Sequence, residues 1–290
     1  NRVTSITYPA STAENVSFTY DSTANGNLGK GRLTGYSNDG GATVLTYDAY
    51  GNTTLQTEMI GGQVYTTAYQ YDAANRIGQI TYPSGRIVIY TRNVLGQITQ
   101  VQTKDSATAA AVSIISNATY EPFGPLKALT YGNTATTTYA HDADYRVSRI
   151  TTTSTPVWDF VYGYDAAGNI TGITDQISTF SKSYGYDTLD RVTSDTNNTG
   201  NITYQYDAGS NRTRRINTST QTLTFAPNSN RITKNGTTTQ TLDAAGNLTA
   251  TGSKNYTYNN ANRLSVATNN NGTVLSQATY NALNQRTQRL

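Results

Sequence analysis

Along most of this chain, apolar and polar positions alternate one for one over short runs, and each run closes on a tyrosine. In Val157-Trp158-Asp159-Phe160-Val161-Tyr162-Gly163-Tyr164 the aromatics Trp158, Phe160, Tyr162 and Tyr164 share one face of an extended chain. Phe180, Tyr184 and Tyr186 keep the same parity, as do Ile202, Tyr204 and Tyr206, and Tyr69 and Tyr71. A period of two in aromatic and β-branched residues predicts half-buried strands.

The residues after each tyrosine predict a reversal. Tyr164-Asp165-Ala166-Ala167-Gly168-Asn169-Ile170 is the clearest case; close copies begin at Tyr47, Tyr71, Tyr186, Tyr206, Tyr258 and Tyr280, looser ones at Tyr20, Tyr139, Phe225 and Leu242. The Asp or Asn accepts a hydrogen bond from a backbone N–H two residues on. Gly51, Gly168 and Gly246 then supply a residue tolerant of positive φ, with Asn75, Asn211, Asn262 and Asn284 as substitutes. A second, different reversal is expected about ten residues later, as at Asn269-Asn270-Asn271-Gly272 or Asn198-Thr199-Gly200. Apart from the gap between Tyr71 and Tyr139, successive copies lie 16 to about 30 residues apart, the range of stacked repeats. The expected fold is therefore all-β, an antiparallel array of hairpins. The residues assigned to its turns are Tyr47, Asp48, Gly51, Tyr71, Asp72, Tyr164, Asp165, Gly168, Tyr186, Asp187, Tyr206, Asp207, Asp243, Gly246, Tyr258 and Tyr280. The first copy is stretched by an insertion through Asn25-Gly26-Asn27-Leu28, and Ala107 to Ala111 is the one place where a helical turn is expected.

Composition agrees with thin sheets. Apolar residues make up 36% of the chain, and 23 tyrosines stand against five Phe and one Trp; a solid core of this size ordinarily takes about 45–50% apolar on a count that includes Gly. Disorder is a poor alternative, because disordered chains lack aromatic and β-branched residues at fixed phase. No proline cluster or charge block divides the 290 residues, so 1–290 reads as one continuous array, and the way it begins and stops in mid-pattern suggests an excerpt of a longer chain. The net charge of +3 is dispersed, unlike the dense basic surface that nucleic acid requires. There are no cysteines, hence no disulfides or thiolate metal site. No signal peptide or membrane-spanning run is visible.

Candidate chemistry is sparse. His141, beside Asp142 and Asp144, occupies a tolerant slot of its copy with no nucleophile–base–orienter set around it. The recurring aspartates suit turn closure better than paired-carboxylate hydrolysis or calcium binding. Neither a cofactor nor a metal is expected, and the chain does not read as an enzyme.

The phrase Tyr164-Asp165-Ala166-Ala167-Gly168-Asn169-Ile170, the block Tyr120-Glu121-Pro122-Phe123-Gly124-Pro125 and Tyr131-Gly132-Asn133 before Tyr139 together resemble the YD repeats of bacterial Rhs (rearrangement-hotspot) proteins. Related repeats occur in the C components of insecticidal Tc toxins and in teneurins. The resemblance implies a curved spiral sheet forming a shell wall or open barrel: a structural, non-catalytic segment enclosing a C-terminal toxin effector, in a secreted or cell-surface protein. Its implied partners are the remainder of its own polypeptide and that effector. Thr134 stands where the family usually has Gly, and no self-cleavage motif is matched. Two alternatives stay open: an adhesive or carbohydrate-binding surface of tyrosine and Asn, with glycans as partners, and a homo-oligomer or fibre assembled through edge strands.

Overall fold

The computed structural model describes residues 2–122, 124–154 and 157–290; Phe123 of the Tyr120 block lies outside them. They form 27 strands, and every strand pair is antiparallel within an unclosed sheet. Strands are short, as in Asp159–Tyr164, Ile170–Asp175 and Lys182–Tyr186, because turn residues interrupt the alternation before a longer run can form. Trp158 falls just before its strand, which starts at Asp159.

Two compact units divide the chain. One comprises Asn1–Tyr90, Thr103–Ala110 and Thr239–Leu290; the other comprises Thr91–Gln102 and Ala111–Thr238. In each, consecutive strands pair, so reversals alternate between two edges. The tyrosine turns occupy one edge: 48–52, 72–76 and 281–285 in the first unit, 142–146, 165–169 and 187–191 in the second. The other edge mixes two-residue and irregular reversals with turns of the same bonding, at 82–86, 131–135 and 269–273.

Few side chains are fully buried. Val16, Tyr36, Ile87, Ala118, Ala135 and Ala282 are the buried apolar residues, and among the described residues no side chain falls below 2% exposure. A cluster in the first unit joins Val16, Tyr36 and Ala282 to Tyr8, Phe18, Leu33 and Leu45. Stability therefore rests less on a core than on backbone pairing and what secures it at the edges.

Several local expectations change. Ala107–Ala111 makes a turn without helix; the two 3₁₀ segments are Thr12–Glu14 and Ala24–Gly26. The second lies in the insertion after Tyr20, where buried Asn27 replaces a missing strand partner. Its Nδ2 donates to the Leu45 carbonyl at 2.9 Å and its Oδ1 accepts from the Tyr47 N–H at 2.8 Å. The reversal at Asn269 is not a different kind of turn. Its bonds, Asn269 N–H to Thr273 O and Gly272 N–H to Asn269 O, reproduce those of the tyrosine turns, whereas Asn197 and Gly200 close a two-residue hairpin. Residues after Tyr258 continue the pattern, yet they also dock sideways within the first unit. Asn38 Nδ2 donates to the Tyr280 carbonyl (2.9 Å), Thr287 Oγ1 to the Gly40 carbonyl (3.2 Å) and the Asn260 N–H to Glu14 (2.8 Å).

Candidate functional site

The repeated turn is the feature with defined geometry. In Asp165–Asn169 the Asp165 N–H donates to the Asn169 carbonyl (3.0 Å) and the Gly168 N–H to the Asp165 carbonyl (3.1 Å). Gly168 has φ 88°, and pairing shifts by one residue between Gly163 and Tyr164. This is a three-residue loop ending in a left-handed bulge residue. The carboxylate locks it. Oδ1 accepts from the N–H groups of Ala167 and Asn169, both 2.9 Å, and Oδ2 from Asn169 Nδ2 at 3.1 Å. Asp48 and Asp72 repeat the arrangement, with Asn52 and Arg76 as closing residues. Asp187 does so with Arg191, while Asp207 and Asp243 bond both the backbone and the side chain of Asn211 and Asn247.

Those bonds stabilise the ionised form, so the turn carboxyls titrate below the ordinary range. The backbone N–H of the closing residue is the largest influence at Asp72 and Asp165; its side chain is the largest at Asp187, Asp207 and Asp243. At Asp48 and Asp142 desolvation is largest and pushes upward, but the hydrogen bonds together outweigh it.

The tyrosine does more than continue a hydrophobic face. Its hydroxyl donates to the carbonyl of the first strand residue after the preceding tyrosine turn. Tyr47 reaches Leu33 (2.6 Å), Tyr71 reaches Thr53 (2.8 Å), Tyr164 reaches Val147 (2.7 Å), Tyr186 reaches Ile170 (2.8 Å) and Tyr206 reaches Val192 (2.7 Å). Tyr258 and Tyr280 do the same to Leu248 and Leu264, and Tyr120 to Ile98, while Tyr20 donates to the carbonyl of Val3, ahead of the first strand. The strand pairs explain the need. Between Val147–Thr152 and Asp159–Tyr164 pairing stops at Arg149 and Val161; closer to the tyrosine edge the strands part, and the phenol serves the carbonyl left there.

At six junctions the closing residue ties one turn to the next in one of two ways. Asn52, Asn169 and Asn247 extend Nδ2 to the left-handed residue of the following turn, Asn75 (3.1 Å), Asp190 (2.8 Å) and Asn262 (3.0 Å). Arg32, Arg146 and Arg191 instead lie over the following tyrosine ring, 5.7, 4.6 and 4.7 Å from the centroids of Tyr47, Tyr164 and Tyr206, a cation–π contact. The left-handed residue is then small: Gly51, Gly168 or Ser210. An ideal Cβ on Gly51 would collide with the Arg32 guanidinium.

This geometry corrects the register of two copies. In the Tyr206 turn the left-handed residue is Ser210 (φ 64°), and Asn211 is the closing residue. In the looser copy the turn aspartate is Asp142, which bonds Asp144 and Arg146. His141, paired with Val147 across the bulge, therefore stands in the tyrosine position rather than a tolerant slot. Tyr145 holds the left-handed position at φ 60°, which a bulky residue seldom adopts. Sequence reasoning also missed the phenol–carbonyl tie: its two ends lie from 10 residues apart, at Tyr258 and Leu248, to 22 apart, at Tyr120 and Ile98, so no fixed spacing signals it.

Among the described residues no group of three or more His, Cys, Asp or Glu is placed to hold a metal, and no helix is long and apolar enough to cross a membrane. A cleft in the first unit has Glu14 and Asp39 as its charged lining residues; burial, then the Glu14 charge, raises the Asp39 carboxyl.

The comparisons agree with these turns. Residues 164–290 match the teneurin YD-shell family and residues 47–87 the RHS repeat family. No curated protein matches. Among solved structures, TcdB2-TccC3-Cdc42 is similar at TM-score 0.84 and 19% identity over 94% of this chain and 17% of that one. TcdB2-TccC3 without its hypervariable C-terminal region gives 0.84 and 19% over 97% and 17%. The Photorhabdus luminescens Tc holotoxin pore gives 0.83 and 19% over 93% and 16%. The chain thus spans about a sixth of the length of the structures it resembles. Two families of the same repeat match parts of this sequence, residues 164–290 and 47–87, and its fold is that of the Tc toxin structures it resembles.

Proposed function

We propose that the 290 residues form a continuous stretch of wall in an Rhs-type β-shell, curved around a C-terminal effector of a protein delivered outside the producing cell. One observation carries the reading: the sequence invests its repeating residues in joining each hairpin to its neighbour, not in assembling a reactive centre. Phenol–carbonyl ties, Asn clasps and Arg-on-tyrosine contacts all run from one turn to the next. They extend a sheet from one hairpin to the next. The residues assigned to the turns act as fasteners, and the chain itself has no catalytic role.

The test uses the full polypeptide that contains these repeats. Protease is added to the native protein, and survival of the region C-terminal to the repeats is followed by mass spectrometry. Enclosure predicts that this region outlasts the same sequence expressed alone, and that Tyr→Phe changes at Tyr164, Tyr186 and Tyr206 together shorten its lifetime. Equal digestion inside and outside the full protein would overturn the shell reading. Saturable binding of a neutral glycan, lost when exposed Tyr50, Tyr65 and Tyr82 become serine, would favour an adhesive surface instead.

A further inference from the structure

We infer that the array has a built-in point of opening, the junction between the turns 121–125 and 142–146, where among the described residues both kinds of tie are missing. The closing residue of the first turn is Pro125. Glu121 N–H still donates to its carbonyl (2.9 Å), but proline has no N–H for the turn carboxylate and no side-chain group to extend to the next turn. On the far side His141 stands in the tyrosine position. Imidazole is shorter than phenol, and no hydrogen bond joins it to Leu126, the first strand residue after that turn. Its Nδ1 is buried with no partner among the described residues, an unfavourable condition for a polar atom. A cleft opens at this place, lined by Glu121, Pro122, His141, Asp142, Ala143 and Tyr145.

What remains is backbone pairing and a few side-chain contacts, among them Thr130 Oγ1 with Thr136 Oγ1 at 3.2 Å and Thr137 Oγ1 donating to the Tyr131 hydroxyl at 3.4 Å. The strands Leu126–Tyr131 and Thr136–His141 pair at Ala128–Thr138, Leu129–Thr137 and Thr130–Thr136, and at no position nearer the tyrosine edge. The Tyr145 ring lies on Gly124, with Cε1 3.1 Å from where a Cβ would sit. Lys127 and Glu121 form a 3.6 Å ion pair, of a solvated kind that contributes little. In pairing the next two junctions are no stronger, with three and two residue pairs, and they differ in their ties. From 142–146 to 165–169 there are the Tyr164 tie and Arg146 over its ring; from 165–169 to 187–191 there are the Tyr186 tie and the Asn169 clasp. Phe225 and Leu242 also lack a hydroxyl in the tyrosine position, but they bury no unpaired polar atom there. Arg92, a further substitute, has a partner.

Hydrogen exchange followed by mass spectrometry on the intact 290-residue chain tests the inference, with rates corrected for intrinsic exchange. Peptides within 136–152 are expected to exchange at least about fivefold faster than those within 159–175 and 182–197, about a fivefold effect being expected for each neutral hydrogen bond lost. His141→Tyr should slow 136–152 toward its neighbours, because the phenol then reaches the Leu126 carbonyl. His141→Phe fills the same space without the hydroxyl and should restore less. Equal protection of the three hairpins in the unaltered chain would overturn the inference, whatever the variants do. Equal slowing by Phe and Tyr would overturn the missing tie as the cause.

Discussion

Tyr164→Phe removes a single oxygen and isolates the feature that distinguishes this array from an ordinary meander. The ring keeps its place beneath the Arg146 guanidinium, 4.6 Å away, while the Val147 carbonyl loses a donor at 2.7 Å. A neutral hydrogen bond contributes about 1 kcal/mol net, and stranding a buried partner costs up to about 3. Val147 is only half-buried, so water can replace the phenol and the loss should lie near the lower figure. In a chain of this length about 1 kcal/mol moves the melting temperature by only ~2 °C. The better assay is urea denaturation at equilibrium, together with exchange of the amides near Val147. Tyr162→Phe is the control: it lies two residues earlier on the same strand, its hydroxyl makes no hydrogen bond among the described residues, and its removal should change stability by less than about 0.5 kcal/mol. Equal losses from the two variants would mean that tyrosine content, not the tie, stabilises the sheet. No loss from Tyr164→Phe would remove the basis for the tie altogether.

Gly51→Ala should destabilise by more than about 1 kcal/mol, since Gly51 combines φ 89° with the Arg32 guanidinium beside it; adding Arg32→Ala should recover part of the loss, and no recovery in thermal melts would refute the steric half of the reasoning. Asn27→Ala strands the Leu45 carbonyl and the Tyr47 N–H and should cost about 1–3 kcal/mol, read in urea titrations; a neutral result would show that this insertion is not fastened as described. The turn carboxyls, lowered in the folded chain, contribute stability that is fully present above their ordinary value of about 3.9 and disappears as pH falls through their depressed values. Melting temperature should therefore drop in that acid window. Asp39, raised in the fold, works in the opposite sense, so Asp39→Asn should stabilise the chain near neutral pH; a melting curve unchanged from neutrality to strong acid would contradict the first of these assignments.

The hairpin array was legible because alternation and turn chemistry are both local properties. Tyr162 and Tyr164 declare a strand, and Asp165 with Gly168 declares its reversal, without reference to the rest of the chain. What joins one hairpin to the next was not legible in the same way. A phenol donating to Val147 leaves no mark at position 147, because any residue has a carbonyl. Register failed where a residue type is ambiguous between neighbouring roles. Asn serves both as a left-handed residue, as at Asn75, and as a closing residue, as at Asn211, so only the hydrogen bonds separate the two. His141 was misplaced because Tyr139, two residues earlier, offered a plausible but wrong start to the copy.

The tyrosine tie ends on main-chain oxygen, and that sets how such a sequence can change over generations. A fastener that recognises only backbone accepts any neighbour presenting a strand start at the right place. One hairpin can be deleted, duplicated or exchanged for another, and the joint closes again without a compensating substitution. The closing residue imposes the milder rule that Asn suits a following Asx and Arg suits a following Gly or Ser. A chain assembled this way is free to drift in length and order while its joints stay the same. Recombination between repeats, normally ruinous inside a folded domain, would here yield another working sheet.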